Sequence, residues 1–97
     1  MSKTWYRLDL VEDTHKRRKV SELTIYVYSE NEYNCRDKLQ HVGRKSVRLG
    51  RKSLDVMEIS VLSPKGVMLL EREITESSGM KLSNARRRWY KTSRAYY

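Results

Sequence analysis

TWYRLDLVEDTHKRRKVSELTIYVY, residues 4–28, is the stretch on which the fold turns. From Thr4 to Val11, Tyr6, Leu8 and Leu10 fall on one side of an extended chain and Trp5, Arg7 and Asp9 on the other. From Val20 to Tyr28, Leu23, Ile25 and Val27 oppose Glu22, Thr24, Tyr26 and Tyr28 in the same way. A period of two, rich in β-branched and aromatic residues, predicts two half-buried strands. The polar EDTHKRRK between them suits a hairpin connection and puts Lys16, Arg17, Arg18 and Lys19 at its tip.

Outward from this hairpin, Ser29-Glu30-Asn31-Glu32 has the S-x-x-E form of a capping box. Cys35, Leu39 and Val42 then recur at i, i+4 and i+7, and Gly43 suits a helix end, which predicts a helix over about residues 30–42. Residues 44–53 show no apolar period and read as a basic loop. Alternation resumes over 54–62, with Met57, Ile59 and Val61 on one face. Ser63-Pro64-Lys65-Gly66 reads as a tight turn, and 67–75 as the returning strand with Met68, Leu70 and Ile74 on a common side. The expected fold is therefore α+β: a small four-stranded, mainly antiparallel sheet of two hairpins, a central helix, and a basic C-terminal helix, in the order ββαββα. Residues 1–79 would form the sheet domain, and 80–97 a basic helix or tail packed on it.

That last segment ends in NARRRWYKTSRAYY, residues 84–97. Glu76-Ser-Ser-Gly79 breaks the preceding element, and Leu82, Ala85, Trp89 and Tyr96 then follow a helical stripe. The spacing predicts a helix over about 82–93, with Trp89 as its anchor and the cations facing outward. A disordered tail that orders on a partner is the competing reading.

The formal net charge is +9, and the excess is gathered in three acid-free runs. Lys16 to Lys19 is the first; Arg44, Lys45, Arg48, Arg51 and Lys52 form the second. The third, from Lys81, contains Arg86, Arg87, Arg88, Lys91 and Arg94. Cations gathered away from acids create a potential that draws polyanions. Guanidinium groups favour bidentate phosphate contact, and Tyr90, Tyr96 and Tyr97 could stack on unpaired bases. Trp5, Tyr26 and Tyr28 share the polar sheet face; left uncovered they would make an aromatic surface for single-stranded RNA. Otherwise they are cross-strand pairs, or they lie beneath the second helix.

The expected function is non-enzymatic nucleic-acid binding, RNA over DNA or a ribonucleoprotein, with the second and third runs as two walls of the site and the first as an outlying contact. One alternative is an accessory or inhibitory protein, of the kind viruses and mobile elements encode, that docks on a nucleoprotein complex. Another is a metal-free ribonuclease using Arg86, Arg87, Arg88, Tyr90 and Lys91. His15 and His41 have no partner at a telling spacing, and Asp55, Glu58, Glu71 and Glu73 read as a solvated strand face, so neither metal nor cofactor is expected. No phosphate-binding glycine loop, nucleophile elbow or H-E-x-x-H run occurs, nor the patterns that enter a DNA major groove. The lone Cys35 fits a reducing compartment, and no apolar run of membrane or signal-peptide length follows Met1, so an intracellular protein without a membrane partner is expected.

Overall fold

The computed structural model describes residues 2–14, 19–39, 53–77, 79 and 81–97. The first two alternating stretches pair as expected. β1 (Thr4–Thr14) and β2 (Lys19–Ser29) run antiparallel, from Thr4 opposite Ser29 to Thr14 opposite Lys19. β3 (Ser53–Val61) pairs antiparallel with the other edge of β1, with one irregularity beside Asp9 and Leu10. β4 (Tyr90–Lys91) adds to β2, giving a four-stranded antiparallel sheet in the order β3-β1-β2-β4. The α+β class and the antiparallel sheet are those the sequence predicts.

Both faces of the central pair are buried. On one face Tyr6, Leu8, Leu10, Ile25 and Val27 pack with Cys35 and Leu39 of α1 (residues 32–39). On the other, Trp5 and Tyr26 pack with Leu70 and Ile74 of α2 (Pro64–Ser77) and Ala85 of α3 (Leu82–Arg87). The protein thus has three layers, helix on sheet on helices. Each large apolar side chain fully buried this way contributes about 1.5–3 kcal/mol.

Three local expectations are corrected. Residues 67–75 are helical, not the returning strand. Ser63 caps this helix: its carbonyl accepts from the Val67 amide (2.9 Å) and its hydroxyl from the Gly66 amide (3.1 Å). Pro64 takes the first helical position, where its missing N–H costs nothing. The apolar spacing fits either period until Arg72, which would sit among Met68, Leu70 and Ile74 in a strand. In the helix, Leu70 and Ile74 are buried while Met68 and Arg72 are exposed.

Second, the helix near residue 30 starts later than the capping box implies. Ser29 is held by β pairing with Thr4, so Asn31 is the cap. Its Oδ1 accepts from the Asn34 amide (2.9 Å) and its carbonyl from the Cys35 amide (3.2 Å). Val42 and Gly43 lie outside the described residues.

Third, the terminal helix stops at Arg87, and the chain becomes strand β4 because the open edge of β2 supplies partners for its backbone groups. Period two then sends Trp89 to the α1 side, against the first core, and Tyr90 to the other. Of the two readings of Trp5 and Tyr26, the covered one holds, since α2, α3 and the terminal segment bury them. Gly79, at φ 67°, takes the left-handed conformation on the way from α2 to α3.

Leu70→Ala should therefore cost about 2–5 kcal/mol in urea unfolding, and Met68→Ala close to nothing. A strand would make both substitutions costly. Gly66 gives a second check: a Cβ there would overlap the Tyr97 carbonyl oxygen and lie 2.9 Å from its carbon. Gly66→Ala should forgo the usual helix gain of about 0.5–1 kcal/mol and raise hydrogen exchange in residues 92–97.

Candidate nucleic-acid interface

The terminal segment is fastened to the second face through two carboxylates of α2. Glu71 Oε1 accepts from Trp5 Nε1 (3.3 Å) and from Arg86 Nη2 (2.5 Å). Arg86 also lies over the Tyr28 ring, 4.7 Å from its centroid. Glu73 Oε1 accepts from the Thr92 hydroxyl (3.1 Å) and meets Arg94 Nε at 3.5 Å. The buried Tyr26 hydroxyl completes the fastening, donating to the Arg94 carbonyl (3.3 Å) and accepting from the Tyr96 amide (2.9 Å). Ser63 donates its hydroxyl to the Tyr97 carbonyl, and the Arg7 guanidinium covers the Tyr97 ring.

This arrangement sorts the predicted terminal residues. Arg86 is paired and its side chain is 39 % exposed. Tyr90 is buried, and burial with the nearby Glu73 charge pushes its phenol up, as it does that of Tyr96. It is presented neither to bases nor to a substrate from solvent. Arg94 is matched by Glu73, although its own side chain is 73 % exposed, so solvent screens that pair. Arg87, Arg88 and Lys91 are exposed and meet no carboxylate among the described residues. The expectation that this segment has no acid to match it fails for Arg86 and Arg94, because α2 brings glutamates that are distant in sequence.

Lys16, Arg17, Arg18, Arg44, Lys45, Arg48, Arg51 and Lys52 lie outside the described residues, as do His15 and His41. Lys19 is placed by its backbone, opposite Thr14.

A grouping absent from the sequence reading takes shape at one end of the sheet. Lys3 precedes β1, Tyr28 nears the end of β2, Lys38 sits on α1, and α3 brings Leu82, Arg86 and Arg87. Together they line an open groove of about 530 Å³ with no carboxylate on its wall among the described residues. Lys38 donates to the Tyr28 carbonyl (2.5 Å). Burial and then the neighbouring Lys3 charge hold its ammonium below the usual lysine range. Arg86 is the hinge between structure and groove, since Glu71 and Tyr28 hold its plane while its Nε is buried without an acceptor. No sequence signal groups Lys3 and Lys38 with Arg86, because three separate elements deliver them.

Among the described residues, no three His, Cys, Asp or Glu side chains gather to hold a metal ion, and no helix is long and apolar enough to cross a membrane. Compared with protein-family models, curated proteins and solved structures, the chain finds no match.

Replacing Glu71 with Gln keeps an acceptor for Trp5 but removes the charge facing Arg86. The expected loss is about 1 kcal/mol in urea unfolding, the scale of a half-exposed charged hydrogen bond. An unchanged midpoint would mean that solvent screens this pair completely.

Proposed function

We propose that this chain is a non-enzymatic nucleic-acid-binding protein that holds its ligand through phosphates. The observation that carries the reading is the groove, where Lys3, Lys38, Arg86 and Arg87 converge with no acid on the wall among the described residues. Like charges brought together by the fold repel one another, and an anion between them relieves that repulsion. Arg88 and Lys91, exposed near the same segment, add to the potential. Each phosphate neutralised releases counterions, so affinity should fall steeply as salt rises.

The test is fluorescence anisotropy with a labelled single strand between about 50 and 200 mM salt. Three or four phosphate contacts predict a slope of log affinity against log salt of about −2 to −3. Reversing Arg87, Arg88 and Lys91 to Glu together should weaken binding and flatten that slope. A chain that ignores bare oligonucleotides yet co-purifies with one protein complex after nuclease digestion would replace this reading with docking on a nucleoprotein assembly.

A further inference from the structure

Resting on that reading, we infer that the groove seats the sugar–phosphate backbone alone and leaves the bases unread, so that RNA, DNA and a strand stripped of bases bind alike. Two observations carry this: what the wall can offer a ligand, and where the aromatic rings have gone.

Ammonium and guanidinium groups only donate hydrogen bonds, and four of the groove's lining side chains are of this kind. Phosphate oxygens only accept. A base edge mixes donors and acceptors, and reading it calls for acceptors on the protein as well. Among the described residues of this wall, side-chain acceptors are confined to the hydroxyls of Tyr28 and Ser83.

Base stacking needs a free ring face at the groove. Tyr28 is the ring there, and it already carries Arg86 over its face and contacts Trp5 at 5.3 Å. Trp5, Tyr26, Tyr90 and Tyr96 are buried in the second core. The exposed rings Tyr33 and Tyr97 do not line the groove.

The experiment compares three labelled strands of equal length: single-stranded DNA, RNA of the same sequence, and an abasic deoxyribose-phosphate chain. Each is titrated into the full chain and into Lys3→Gln/Lys38→Gln/Arg87→Gln. Lys3 and Arg87 are exposed, and Gln at position 38 keeps a donor for the Tyr28 carbonyl, so the fold should survive; a thermal melt checks it. The three strands should bind the wild type within about twofold, whereas stacking of even one base would open a gap of about fivefold or more. The triple variant should bind all three more weakly, with the salt slope reduced in magnitude by about 2. Tyr33→Ala should change nothing.

A deficit of about fivefold or more for the abasic strand, or loss of binding in Tyr33→Ala, overturns the inference and leaves nucleic-acid binding intact. Undiminished binding by the folded triple variant removes the groove as the seat, again without touching the broader reading. Failure of all three strands to bind the wild type removes both.

Discussion

The burial of Trp5 and Tyr26 on the second face of the β1–β2 pair is the constraint from which the rest follows. The first face is covered by α1, so a two-layer protein would leave an indole and a phenol ring in water. A 97-residue chain has little material for a second cover. It uses α2, α3 and the residues beyond β4, which together close the second core. For that reason 67–75 must be a helix: a strand there would extend the sheet and leave its aromatic face bare.

Covering the second face also redistributes charge. α2 carries Glu71 and Glu73 to the inner side, and these meet Arg86 and Arg94 from a segment that has no acid of its own. The arginines thereby serve two ends. Arg94 helps to fasten the tail, and Arg86 ties α3 to α2 and Trp5 while its guanidinium forms part of the groove. Among the described residues of the terminal segment, fewer cations stay unmatched than the sequence implies, and the positive pole they join is the groove. Its cations come from the start of β1, from α1 and from α3, so it exists only when all three layers are assembled.

On the proposed reading, binding and stability are coupled at Arg86. Glu71 and the Tyr28 ring fix the guanidinium before any ligand arrives, so little side-chain freedom is lost when an anion is engaged. Lys38 contributes differently: burial first and then the Lys3 charge disfavour its ammonium, and on the proposed reading an anion between the two lysines offsets their repulsion. The layer that brings Arg86 and Arg87 also buries Trp5, Tyr26, Tyr90 and Tyr96, so the groove gains charge where it loses stacking surface.

Local pattern alone determined the first hairpin, its inward side chains and the helix stripe of Cys35 and Leu39, because each is a repeat that neighbouring residues express together. It found β3 but not its inward face, since the shift opposite Asp9 and Leu10 puts Val56 with Ile59 on the core and leaves Met57 and Val61 exposed. The sequence also announced a basic terminal segment anchored by aromatics. Three things were decided only in the folded chain. Whether Val67 to Ile74 coils or extends depended on Trp5 and Tyr26 needing a cover. Whether Trp89 and Tyr90 share a helix or split across a sheet depended on the free edge of β2. Which cations stay unmatched depended on where α2 points its glutamates. In each case the deciding partner lies far away along the chain, and packing and Coulomb energy are set by distance in space rather than by distance in sequence.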